Sequence, residues 1–549
     1  MRKLLLILFV CLLQTSFARN IYMSPSGSDA GAGTIVSPYL TFSKAFSVAS
    51  SGDIVQLLPG NYTVSSTLNV SVGVSINGTD SSKTTITSNV VGGNAMLLRS
   101  VEGTNGNQKL SNFKLTTTSF ATLTGIDIIG RSNVTVDHVT IRDFHGNGVF
   151  FSGTSSIGYQ PINYASGNRL QFCQIINNSD RSVAGASGNI VVSGFKPLSG
   201  GDTGMVVRDN VIVQTQRVLG HNGDNFVIPA GPMSSVEGLK YFNNKSYRVQ
   251  DDIGGDWSFH MELWDCQGGV EIFNSEFYGG NQMIDIAGVD SMSTRSFALH
   301  SPYRYNFSIH DCLFQIDTAF TSANALLVVG VDIEADKSNI HIFNNRFKNL
   351  PYAIMMSLNH AGEMGQRDIY INHNLIESGG FANGDYAFDF SIIGGGRSAL
   401  IRDLHFDNNT IVNTNTRAGI FISLTDRDSL INSSFSNNII TGVPSTGYGA
   451  ITFSDNRGFK DSVYMQNNLL FGNTNSNNIY YRYSATAPTH FFNTGTIIAR
   501  PLFKSDYTLQ PTSPAIGAAI GGADIGAIPY SISVSPSSTL KEAWKSKNL

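Results

Sequence analysis

Two acidic residues, Glu262 and Asp285, stand in like settings, Phe259-His-Met-Glu-Leu-Trp264 and Met283-Ile-Asp-Ile-Ala287. Side chains alternate along a strand, so the apolar neighbours of each acid face one way and the acid faces the other. On successive in-register strands the two carboxylates lie one strand spacing apart, ~5 Å. Carboxylates that close repel, and one of them holds a proton near neutral pH. An acid beside a base is the arrangement that breaks a glycosidic bond. His260 and Trp264 lie two residues to either side of Glu262. They are expected on the same face, His260 to orient a carboxylate or a water and Trp264 to stack on a sugar ring. Asp251, Asp252 and Asp256 precede this strand and Asp265 follows it. Their oxygens suit Ca²⁺, so Asp251, Asp252 and Asp256 are candidate ligands.

What must hold these residues is a stack of strands. A six-residue pattern of apolar, any, polar, small polar, any, apolar recurs about every 32 residues between Phe113 and Asn468. Ile342-Phe-Asn-Asn-Arg-Phe347, Phe406-Asp-Asn-Asn-Thr-Ile411 and Phe435-Ser-Asn-Asn-Ile-Ile440 are clear copies. The fourth position is Asn at 210, 244, 345, 374, 409, 438 and 468, with Cys173, Ser275 and Cys312 as small substitutes. Amides repeated one rung apart can bond to one another and form an asparagine ladder. Asn also tolerates the left-handed backbone of a sharp corner. A second strand precedes each copy, as in Gly148-Val-Phe-Phe-Ser152, Ala325-Leu-Leu-Val-Val-Gly330, Tyr386-Ala-Phe-Asp-Phe-Ser391 and Gly419-Ile-Phe-Ile-Ser423.

The composition agrees with such a solenoid. Of 549 residues only 14% are charged, 41% are hydrophobic and 55 are glycine, a profile of strands and turns rather than long helices. The fold expected is all-β, a parallel β-helix of about 12 coils. Residues 1–18 read as a secretory signal: Arg2 and Lys3, an apolar run from Leu4 to Leu13, then Ser16-Phe17-Ala18. The run is too short to span a bilayer. Secretion to the periplasm or the exterior is therefore expected. With 36 basic and 40 acidic residues the net charge is −4, which argues against a nucleic-acid partner. Cys173, Cys266 and Cys312 remain after the signal, an odd number that leaves at least one free thiol.

The repeat, the opening Ile21-Tyr-Met-Ser-Pro-Ser-Gly-Ser-Asp29 and Gly52-Asp-Ile-Val-Gln-Leu-Leu-Pro-Gly-Asn-Tyr62, and the close Asp506-Tyr-Thr-Leu-Gln-Pro-Thr-Ser-Pro-Ala-Ile516 with Ala523-Asp-Ile-Gly-Ala527 together resemble the pectate-lyase-like superfamily of secreted right-handed β-helix proteins. The resemblance implies a short helix capping the first coil. It divides the chain into a cap with first coils (19–95), a β-helix (96–485), a closing segment (486–530) and a tail (531–549). It also implies that a long sugar binds along an outer sheet face. The outward column expected there is Asp127, Phe150, Val191, Val227, Glu262, Asp285, Val328, Ser357, Asp389, Phe421 and Thr452. Asp389 on a farther rung, with Asn359 and His360 at the end of another, are expected to touch substrate. Lyases of the superfamily often pair a metal with a Lys or Arg base, and this column holds neither near Glu262. The first expectation is therefore a secreted glycoside hydrolase with Glu262, Asp285 and His260 as catalytic residues. A Ca²⁺-dependent polysaccharide lyase and a non-catalytic sugar-binding protein are the alternatives, and fold does not choose among them.

Overall fold

In the computed structural model, the structure describes residues 18–118, 121–152, 165–179, 187–193, 204–215, 222–228, 236–248, 259–264, 266–287, 305–316, 328–334, 338–357, 366–378, 386–391, 400–413, 417–425, 427–443, 448–473, 478–482 and 490–530. Residues 1–17 of the signal segment, the tail, Asp251, Asp252, Asp256, Asp265, Asn359 and His360 lie outside them.

Each coil contributes short strands that pair in parallel with the like strands of the coils before and after. Fourteen strands form one ladder, here the third sheet, which includes Lys245–Arg248, Glu276–Gly279, Arg346–Lys348 and Leu375–Ser378. The other strands join a 30-stranded sheet. It carries two ladders that meet at a corner: the site sheet, with Phe259–Leu263, Gln282–Ile286 and Val329–Ile333, and the second sheet, with Leu239–Phe242, Cys266–Phe273 and Ser338–Phe343. A parallel β-helix results, as the repeat predicts. A helix at Phe42–Val48 buries Phe42 and Ala45 against the first strands.

The main core cluster is continuous and fed by the inward side chains of all three ladders, and a second, smaller one joins Ile439 and Leu469 to the closing segment. Like residues stack there: Phe277 on Phe314 at 5.0 Å and Phe314 on Phe347 at 4.8 Å. The asparagine ladder forms at the corner between the second and third sheets. Asn345 Nδ2 donates to Asn374 Oδ1, Asn374 to Asn409 (both 3.0 Å), Asn409 to Asn438 (3.3 Å) and Asn438 to Asn468 (3.2 Å). Each amide also donates to a backbone carbonyl, as Asn374 does to Ile342. Cys173 and Cys312 are free and buried, and their backbone amides donate to Asn210 and Asn345. One detail differs from expectation. The left-handed residue is the third of the pattern, not the fourth: Asn344, His373, Asn408, Asn437 and Asn467 all have φ of 53–57°. The two adjacent positions divide the work of turning the corner and tying the coils together.

Candidate functional site

On the site sheet the acidic residues sit between two core residues. Met261 and Leu263 enter the core around Glu262, Ile284 and Ile286 around Asp285, and Val331 and Ile333 around Asp332. Each acid is thereby turned to the outer face. Registers align them: Val227 pairs with Glu262, Glu262 with Asp285, Asp285 with Asp332, Asp332 with Met355, and Met355 with Asp389. The column then continues through Phe421 and Thr452. Glu262 and Asp285 are thus neighbours on successive rungs, as the sequence predicts. Although on the outer face, both are buried, at 1% and 3% exposure.

Two expected members of the column are corrected. The strand after Asp285 is Val329–Ile333, not residues 325–330, so Asp332 replaces Val328. On the next rung Met355 replaces Ser357. Ser357 lies two residues on, and its hydroxyl donates to Asp332 Oδ1 at 3.0 Å. Residues 325–333 are an unbroken apolar run until Asp332, and such a run does not fix its own register. The signal that finds the right register is the triplet apolar-acid-apolar. Val331-Asp-Ile333 repeats Met261-Glu-Leu263, Ile284-Asp-Ile286 and Phe388-Asp-Phe390.

The place of His260 is also corrected. It turns away from Glu262 into the corner facing the third sheet, where its ring meets Phe277 edge-on at 5.7 Å. Nδ1 bonds Ser246 Oγ at 2.7 Å and Nε2 bonds the Gly279 carbonyl at 2.9 Å. Burial pushes its pKa down to about 3, so the ring is neutral. It ends a second polar ladder in which Asn178 donates to Asn189, Asn189 to Asn225 and Asn225 to Ser246. Alternation fails here because the strand enters from a corner, and residues 260 and 261 both face inward. Trp264, half-buried, extends the Glu262 strand, its backbone amide donating to Ile228. Asp389 is on the column, but Met355 separates it from Asp332 by two strand spacings, ~10 Å.

Together these strands make a buried acidic group on neighbouring rungs. Asp285, Asp332 and Glu334 each offer an oxygen, and these oxygens all lie within 4.8 Å of one another. Burial raises Asp285 well above the usual carboxylate range, and Glu334, Asp332, Glu262 and Asp224 raise it further. Burial, then Glu334, does the same to Asp332, against the bonds from Ser357. Asp224, on the strand before Glu262, is raised by burial and by the Glu262 carboxylate, while the Arg248 guanidinium opposes the rise. Farther along, the face turns aromatic. Tyr386 stacks on Phe421 at 4.0 Å, and Arg482 donates to the Tyr448 hydroxyl at 2.7 Å.

Asp285 Oδ1 and Asp332 Oδ2 are buried without a hydrogen-bond partner. Buried acceptors are seldom left so. The donor set is all oxygen, and three carboxylates within 4.8 Å repel unless neutralised. This fits a hard divalent cation such as Ca²⁺, with Asp285, Asp332 and Glu334 as the residues that would hold it. The expected ligands Asp251, Asp252 and Asp256 lie outside the described residues.

The coils and their inward and outward columns define a parallel β-helix. Residues 21–213 match the family model described as Pel9A-like, right handed beta helix region. No curated protein matches. Among 54 solved chains that do, the PL6 family alginate lyase AlyGC is 13% identical over 95% of this chain and 60% of its own, with a TM-score of 0.46. The pectate lyase Pel9A is 13% identical over 94% and 97%, at 0.26. A mutant tailspike of E. coli bacteriophage HK620 is 11% identical over 80% and 73%, at 0.47. Likenesses at this level concern the fold alone. The chain spans about 60% of the length of the alginate lyase. Among the described residues no helix is long and apolar enough to cross a membrane.

Proposed function

We propose that the protein cleaves an acidic polysaccharide lying along the outer face of the site sheet, by elimination assisted by a divalent cation. The observation that carries this is the buried triad Asp285, Asp332 and Glu334, with two carboxylate oxygens that have no protein partner. Bound there, Ca²⁺ would withdraw charge from a uronate carboxylate and acidify the proton on the adjacent ring carbon. Glu262, on the rung before Asp285, would accept that proton as the glycosidic C–O bond breaks, and solvent would protonate the leaving oxygen. Trp264 offers a ring for a sugar to stack on. The pectate and alginate lyases named above share this kind of fold and act on such polymers, which lends the reading support by analogy. Export from the cell, expected from residues 1–18, goes with a polymeric substrate.

Hydrolysis is a second reading, favoured by the in-register pairing of Glu262 with Asp285. One experiment separates the two. The protein is offered polygalacturonate, alginate and neutral glycans, with ultraviolet absorbance and reducing ends followed together. Elimination predicts a new absorbing double bond that EDTA abolishes. Reducing ends without absorbance would replace elimination by hydrolysis, and neither signal on any polymer would remove both.

A further inference from the structure

Among the described residues, buried side-chain amides keep a partner on at least one of their two atoms, although Gln214 Oε1 and Asn281 Oδ1 lack one. The seven asparagines of the main ladder and Asn178, Asn189 and Asn225 of the second all have hydrogen-bond partners. Gln282 breaks the pattern. It is 1% exposed, and neither its Nε2 nor its Oε1 has a partner. It opens the strand Gln282–Ile286, three residues before Asp285. Met283, Ile284 and Ile286 of that strand belong to the core cluster; Gln282 and Asp285 do not. Its in-register neighbours, Phe259 and Val329, are also outside the core cluster. The column then reaches the strand of Tyr352 and the outer aromatic group of Tyr386 and Phe421. Gln282 therefore lies on the outer face on the rung of Asp285, beside the acidic column and two rungs before Tyr352.

Removing an amide from water without a partner costs about 1–3 kcal/mol. A leucine or methionine would fill the same space without that cost. An amide presents one donor group and one acceptor side by side. Two neighbouring hydroxyls of a pyranose ring, one donating and one accepting, match it. We propose that Gln282 is a substrate-contacting residue that binds a vicinal hydroxyl pair of one sugar in the polysaccharide chain. The inference rests on the reading of this face as a polysaccharide site and adds a contact independent of cation and cleavage.

The test compares the whole protein with Gln282→Leu and with a second variant, the unbranched Gln282→Met. Melting is measured first, without polymer. Both variants are expected to melt at the wild-type temperature or above it, because an unpartnered amide has been removed. A lower melting temperature in both would mean that the amide supports the fold, and would overturn the proposal. Binding is then measured by affinity electrophoresis in gels containing polygalacturonate or alginate, with EDTA present so that no cleavage occurs. Wild type is expected to be retarded, and the variants to bind roughly tenfold more weakly, the loss of one buried polar contact. Equal retardation of wild type and variants, or no retardation of wild type by either polymer, would overturn it. Wild-type binding that Gln282→Leu weakens, without elimination in the separate activity assay, would sink the proposed reaction and leave this contact standing.

Discussion

Replacing Glu262 by Gln keeps the volume of the side chain and removes the carboxylate that would accept the ring proton in the proposed elimination. Elimination by Glu262→Gln is expected to fall about 100-fold or more, with an unchanged melting curve. Steady-state ultraviolet kinetics beside thermal denaturation check this. Asp127 gives a separate pH test. Burial pushes it up to about 6, against the nearby Arg99 charge and the bond from Asn94. In the unfolded chain it titrates near 4. Between these values the folded state holds more protons, so raising the pH from about 4 to about 6 destabilises the fold, after which the effect is complete. A shift of about two pH units corresponds to about 3 kcal/mol. Asp127→Asn should lose this part of the pH dependence, read as a smaller change in urea midpoint between pH 4 and pH 7 than in wild type.

At the level of the strand and corner, the ladder carries the stability of the stack. Asn374 accepts from the side chain and backbone of Asn345 and donates to Ile342 and Asn409. Asn374→Ala strands these buried partners and is expected to cost about 2–4 kcal/mol, measured by chemical denaturation, with the catalytic constants of the folded fraction unchanged. This scale also sets how much was legible in the sequence. The ladder asparagines and the Glu262–Asp285 pairing were readable, because a polar residue repeated at one offset has few other uses. The register of Asp332 was not readable from hydrophobicity alone, since Val328 and Val331 are equally apolar. His260 was misplaced because strict alternation was carried through a corner. Burial of the acidic group on the outer face leaves no mark in a single strand. It depends on the whole neighbourhood of the face.

Over the molecule as a whole, like positions of successive coils become neighbours, and isolated acids spread over 73 residues from 262 to 334 become one group. A cation held by three of them ties two neighbouring rungs of the site sheet, Gln282–Ile286 and the strand that leads into Glu334, and stabilises the native state by mass action. Calcium at a hundred times its dissociation constant should add about 2.7 kcal/mol, seen as a rise in melting temperature that EDTA reverses. The most direct test of the account is calorimetric titration of Ca²⁺ into EDTA-stripped protein, wild type and Asp332→Asn side by side. The account predicts saturable binding by wild type that falls by an order of magnitude or more in the variant. Wild type that takes up no Ca²⁺, or a variant that binds it as tightly as wild type, would contradict it.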